Sequence, residues 1–232
     1  MARFSRLVKP FLQIAALTFF STSWLSPLVS VHDASMFEQP KILEAFTASE
    51  KTPLQTSLRV ATFNIRHGKG QDGAVDLSKV LAELKHLQAD VIGLQEVDRY
   101  NIRSGFADQI SVLGSELGMF WAFSPSLELG WVQYGNAILS KYPITSAEKY
   151  VLPGQWEPRS VLKAVISMDD MNVQLFNTHL GVAEADRMQQ MPMLAELLAT
   201  DGEPAVLMGD FNMVSSHPYM QALPSGWEKV EL

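Results

Sequence analysis

The chain has 232 residues, 47% of them hydrophobic, which suits one domain with a packed core. It has no cysteine, which excludes disulfides and thiolate zinc sites. The formal charge is -7, and beyond residue 35 the remaining 15 basic and 24 acidic residues give -9, a poor balance for a protein that relies on counterion release from nucleic acid.

Met1 to Pro10 carries Arg3, Arg6 and Lys9, and no charged residue follows from Phe11 to Val31. Basic, then apolar, then Ser-rich is the order of a secretory signal, assigned to residues 1–35. The uncharged run is also long enough to cross a bilayer as an uncleaved anchor. Either reading predicts a secreted or extracytoplasmic protein, the second a membrane-anchored one. Residues 36–57, with Pro40 and Pro53, read as a linker holding one short helix near Ile42 to Phe46.

The globular part is assigned to residues 58–232. Leu58 to Ile65 alternates as a strand, with Asn64 near its end. A loop follows from Arg66. Asp76 is placed to cap a helix whose Leu77, Val80, Leu81, Leu84 and Leu87 share one face. Val91 to Glu96 is a buried strand ending on a carboxylate, and strand, helix, strand with a short return predicts a βαβ unit. Ala107 to Leu117 reads as a helix stopped by Gly118. Phe120 to Phe123 and Asn136 to Ser140 read as strands, separated by a loop carrying Tyr134 and Gly135. Tyr150 to Leu152, Val161 to Met168 and Val173 to Asn177 follow, with a hairpin turn at Asp169 to Asn172. A helix is expected from Ala183 to Leu198, bent by Pro192 or beginning there. The apolar run Ala205 to Met208 then stops at Gly209 and presents Asp210 and Asn212.

Alone, Gly209 to Asn212 reads as a turn. Four apolar strands, however, run into polar groups: Asn64, Glu96, His179, and Asp210 with Asn212. In α/β sheets ligands collect at strand ends. Glu96 is a hard carboxylate suited to magnesium or manganese. Asn64, His179 and Asn212 can donate hydrogen bonds to phosphate oxygens, and Asp210 can orient an attacking water. His67, His86 and His217 read as surface groups, and Trp121, Trp131 and Trp156 as core or partly buried packing.

Thr62-Phe63-Asn64-Ile65, Asp90 to Asp98, Gly135 to Ser140, Asn177-Thr178-His179-Leu180 and Gly209-Asp210-Phe211-Asn212, in that order, closely resemble the endonuclease/exonuclease/phosphatase family of metal-dependent phosphoesterases. The resemblance runs from Leu58 to about Trp227. It implies an α/β (α+β) fold, a four-layer α-β-β-α sandwich of two packed mixed sheets flanked by helices. It implies Glu96 as the principal metal ligand with Asn64 beside it, and Mg2+ or Mn2+ as cofactor. It gives His179 and Asn212 the phosphoryl group to stabilise, and Asp210 the nucleophile to orient. Tyr134, Asn136 and Arg159 are lesser substrate-contacting candidates, Arg159 as a phosphate clamp. The implied reaction is hydrolysis of a phosphodiester or phosphomonoester by in-line attack of metal-activated water.

Family members carry a Ser-Asp-His motif after Gly-Asp-Phe-Asn. No histidine follows His217 here. The expectation is a second sheet lacking its C-terminal strands, with an exposed edge, and impaired activity. The favoured substrate is a lipid head group or small phosphodiester, with membrane association through the N-terminal segment. The alternatives are a secreted nuclease of the same chemistry, with nucleic acid as partner, and a non-catalytic remnant that binds metal or phosphate.

Overall fold

The computed structural model describes residues 17–19, 57–155, 157–168, 171–199 and 203–228. The elements are β1 (Leu17–Phe19), β2 (Val60–Asn64), α1 (Leu77–Leu87), β3 (Val91–Arg99), α2 (Gln109–Leu117), β4 (Phe120–Leu129), β5 (Val132–Ser140), β6 (Ile144–Leu152), β7 (Arg159–Met168), β8 (Met171–His179), α3 (Glu184–Leu197) and β9 (Ala205–Asp210).

They form two mixed sheets, one ordered β2-β3-β5-β4 and the other β1-β9-β8-β7-β6. Each sheet holds one parallel pair, β2 with β3 and β8 with β9. A parallel return needs a crossover, and α1 and α3 supply it. The inner faces of the sheets meet in one apolar layer that includes Val91, Ile138, Leu162, Ile166, Leu175 and Met208. Val80, Leu84, Ile110 and Leu113 from α1 and α2 pack on the outer face of the first sheet, and Met191 and Leu194 from α3 on that of the second. The result is the expected four-layer sandwich.

The helices form where their signals lie. The Asp76 side chain accepts from the Ser78 backbone N–H and caps α1, and Gly118 ends α2 in a left-handed conformation. Pro192 lies inside α3, with Glu184 and Asp186 in the first turn, so the helix begins well before the proline.

Several expectations are corrected. β4 and β5 extend to meet across Gly130 and Trp131, so Tyr134 and Gly135 lie in a strand and not in a loop. A Cβ at Gly135 would sit 2.0 Å from the Ser124 carbonyl oxygen, so only glycine lets β4 approach there. β3 does not end at Glu96 but continues to Arg99. β9 does not stop at Gly209 but runs to Asp210, and Gly209 is required because a Cβ would lie 2.4 Å from the Thr178 carbonyl oxygen. The second sheet takes Leu17–Phe19, from the segment read as a signal, as an antiparallel strand on β9. Trp131 is 76% exposed and not packed, whereas Trp121 lies half-buried against the first core. The expected short helix near Ile42, the turn residues Asp169 and Asp170, and Trp156 lie outside the described residues. Among the described residues no helix is long and apolar enough to cross a membrane.

Candidate active site

The C-terminal ends of β2, β3, β8 and β9 lie together at one end of the sandwich. Asn64 closes β2, and the Arg66 backbone N–H donates to its Oδ1 at 3.0 Å, which turns the amide nitrogen inward. That nitrogen donates to Glu96 Oε1 at 2.8 Å and to Asp210 Oδ2 at 3.0 Å. One amide therefore joins two carboxylates carried by different sheets.

Glu96 reaches this position through a bulge. Leu94 faces Ala137 and Val97 faces Gly135, so Gln95 and Glu96 together oppose Asn136. Glu96 takes φ 58°, a left-handed conformation that costs a non-glycine residue about 1–3 kcal/mol. The extra residue shifts the alternation, so that Gln95 points into the buried space between the sheets and Glu96 toward the open end. Gln95 Nε2 donates to Thr62 Oγ1 at 3.0 Å and to Asn177 Oδ1 at 2.6 Å. Asn177 Nδ2 donates in turn to the carbonyls of Leu94 and Ala137, both at 2.8 Å. Asn177 is fully buried and clasps the sheets directly behind the bulge.

From the second sheet, His179 Nε2 stands 3.8 Å from Asp210 Oδ2, too far for a hydrogen bond. Arg159 NH1 lies 3.1 Å from His179 Nδ1. A guanidinium can only donate, so Nδ1 accepts and the ring proton sits on Nε2, facing the open end. Burial, reinforced by the Arg159 charge, lowers the His179 pKa to about 4, against the opposing pull of Asp210 and Glu96. The ring is therefore a neutral donor at physiological pH. Arg159 also pairs with Glu157 at 3.1 Å and is itself only 5% exposed. It stands behind His179 and reaches the site through that ring. The Asn212 backbone N–H donates to Asp210 Oδ1 at 3.0 Å, and Asn212 Nδ2 donates to the Leu180 carbonyl at 2.8 Å. The second amide hydrogen of Asn212 remains for a ligand.

Asn64, Glu96, His179, Asp210, Asn212 and Arg159 thus converge. Tyr134 stands at the margin, its ring 5.1 Å from the Arg103 guanidinium carbon. Burial, and then the Glu96 charge, raise its phenol pKa, which keeps it a neutral donor. Asn136 is turned inward instead: it is 1% exposed and its Nδ2 donates to the Ser160 carbonyl at 3.0 Å. It supports the wall where the bulge sits.

The donor set fits a hard divalent cation. Two carboxylates supply hard oxygens, with no thiolate and one histidine already oriented as a donor. Asn64, expected beside the metal as a ligand, turns its amide nitrogen to the carboxylates and its Oδ1 to the Arg66 backbone, and so positions them instead. Among the described residues no three histidine or acidic side chains are grouped so as to hold a metal ion among themselves.

Residues 61–228 match the model of the Endonuclease/Exonuclease/phosphatase family. The chain belongs to this family. The uncharacterized protein YbhP of Escherichia coli K12 is 31% identical over 183 residues, covering 71% of this chain and 71% of that one. The protein cwh43 of Schizosaccharomyces pombe is 28% identical over 135 residues, but this chain spans only 14% of its length. The mannosyl-6-phosphatase Bt3783 of Bacteroides thetaiotaomicron, a solved structure, superposes with a TM-score of 0.58 at 20% identity, over 73% of this chain and 70% of that one. That likeness shows a shared fold.

Reading the sequence missed the supports of this family site. Gln95 and Asn177 were visible as motif letters next to Glu96 and His179, but their inward aim follows from the bulge. Asp98 is fully buried and holds Arg103 through two contacts, at 2.8 and 2.7 Å. No periodicity marks that pair.

Proposed function

We propose that this protein hydrolyses a phosphate ester, using magnesium or manganese, at the site where Asn64, Glu96, His179 and Asp210 meet. The observation that carries this reading is the Asn64 amide shared between Glu96 and Asp210. It sets the carboxylate suited to a cation beside the carboxylate suited to a water. Glu96 would hold the ion, its carboxylate positioned by the Asn64 amide. When bound, such an ion stabilises phosphoryl charge and makes water a better nucleophile.

The chain's own groups do the rest. His179 Nε2–H donates to a phosphoryl oxygen, held in line by Arg159 at Nδ1. Asp210 orients the attacking water and takes its proton, its other oxygen pinned by the Asn212 backbone. The free amide hydrogen of Asn212 adds a second donor to phosphorus-bound oxygen. The acidic chain, at -7, supports a compact ester over a nucleic-acid duplex. The name of the Bacteroides relative, a mannosyl-6-phosphatase, supports phosphomonoesters beside phosphodiesters as substrates. The basic and apolar order of residues 1–31 supports action outside the cytoplasm.

The test compares bis-p-nitrophenyl phosphate and p-nitrophenyl phosphate turnover with magnesium, manganese and chelator. Glu96→Gln and Asp210→Ala are each expected to lower kcat by about 10²–10³-fold with the fold retained. Turnover indifferent to both substitutions, or to chelation, overturns the reading. Binding of magnesium and phosphate in a calorimeter with no turnover would leave only a ligand-binding remnant.

A further inference from the structure

The end of the sandwich that carries the site also carries the most exposed large apolar side chains among the described residues. Ile102, Leu129, Trp131, Val151, Val182 and Val214 are between 64% and 76% exposed, and Phe106 follows at 59%. Ile102 and Phe106 lie in the loop after β3, Val182 in the loop after β8 and Val214 in the loop after β9. Leu129 and Trp131 are at the tip of the β4–β5 hairpin, whose register sets Gln133 against Arg99 at the end of β3. Val151 pairs with Ser160, next to Arg159. Beside the β7–β8 turn, at the opposite end, Met171 is 43% exposed.

Exposed apolar groups scattered singly need no account, but a set of the most exposed ones at the end that carries the site does. These tips are carried by separate loops and hairpin ends rather than by one helix or sheet face. A protein partner would need packed shape complementarity there. A fluid acyl layer does not, because it closes around each tip. A tryptophan standing at a hairpin tip suits the boundary between headgroups and chains. Arg66 and Lys69, in the turn after Asn64, lie at the same end, as does Arg103, next to Ile102 and paired with the buried Asp98. They are joined by the acids Glu128 and Asp72, the second tied to Lys79 at 3.0 Å.

We infer that this rim docks the protein on a lipid bilayer, so that the site takes its phosphate ester from a headgroup at the membrane surface. The docking is a property of the rim; only its link to catalysis rests on the function proposed above. The membrane source distinguishes this from a soluble ester reaching the same site.

The experiment uses the full chain with vesicles of phosphatidylcholine and phosphatidylglycerol. Leu129→Asp with Trp131→Asp should weaken vesicle partitioning about tenfold or more, since apolar surface leaves the acyl phase. The same double variant should hydrolyse bis-p-nitrophenyl phosphate in solution at the parent rate, and Met171→Asp should partition like the parent. Acyl chains carrying bromine should quench a fluorescence component in the parent that Trp131→Phe lacks, which separates the rim from any contribution of residues 1–31. Equal partitioning of parent and double variant, or equal quenching with and without Trp131, overturns the inference. Loss of partitioning in a protein that never hydrolyses the soluble diester upholds the docking and sinks the phosphoesterase reading instead.

Discussion

The two halves of the molecule are built alike and held together differently. β2–α1–β3 with the β4–β5 hairpin, and the β6–β7 hairpin with β8–α3–β9, each combine a parallel pair, a crossover helix and an antiparallel ribbon. The first half delivers Asn64 and Glu96, the second His179, Asp210 and Asn212. In the first half the crossover helix is capped by Asp76 and buries the apolar Val80 and Leu84. In the second half α3 has no side-chain cap, contains Pro192, and buries Asp186 and Gln190 among its apolar groups. Those two side chains fasten loops. Gln190 accepts from the Gly181 N–H at 2.8 Å and donates to the Pro153 carbonyl at 2.7 Å, and Asp186 accepts from the Gln155 N–H at 3.1 Å. Glu96 therefore stands on a strained bulge backed by the Gln95–Asn177 hydrogen bonds, beside an apolar crossover helix. The loops around His179 are fastened instead by polar groups of the crossover helix itself, whose loss is dearer than their gain.

That contrast can be broken at chosen places. The largest effect is expected at the bulge. Glu96→Gly relieves the left-handed strain but removes the carboxylate, so phosphodiester turnover should fall about 10²–10³-fold while the melting temperature holds or rises. A lower melting temperature would mean that the Glu96 contacts outweigh its strain.

Next comes the clasp between the halves. Asn177→Leu removes the buried side-chain bonds to the Leu94 and Ala137 carbonyls and from Gln95, and should cost about 3 kcal/mol in denaturant unfolding. Gln190→Leu orphans only the Gly181 N–H and the Pro153 carbonyl, so about 2 kcal/mol is expected, with KM rising more than the first half's variants allow. On the first half, Asp76→Ala removes one cap and should cost about 1 kcal/mol with turnover unchanged. Equal costs for Gln190→Leu and Asp76→Ala would erase the distinction.

The last effect is a slope. His179 has its pKa lowered from 6.5 to about 4, so the folded state binds fewer protons than the unfolded chain between those values. The contribution of the neutral ring is complete above pH 6.5 and is lost as the pH falls toward 4. Chemical denaturation across that window should show stability declining in the parent and a flatter line in His179→Asn.

Much of this was legible beforehand. The apolar runs and caps of β2, α1, α2 and β9 lie where the periodicity placed them, because each signal is local: a capping aspartate, a stop glycine, a run of β-formers. The polar residues at strand ends were legible because polar groups interrupting apolar runs need a reason. The β4–β5 hairpin was misjudged because Tyr134 and Gly135 carry turn-forming character in sequence, while in the fold Gly135 serves a backbone approach. Arg159 reads in sequence as a phosphate clamp, since nothing local says that His179 packs over it. Trp131 looked like core because an isolated tryptophan normally is.

By itself, then, the order of residues determined the two strand-helix-strand units, the family and the polar groups that end its strands, since those depend on neighbours in the chain. Only the tertiary structure decided that Glu96 leaves the ladder through a bulge, that one Asn64 amide joins two carboxylates, and which histidine nitrogen keeps its proton. Those outcomes depend on partners far apart in the chain, Asn64 and Asp210 among them, and a contact of that kind exists only after both sheets have closed on a common core.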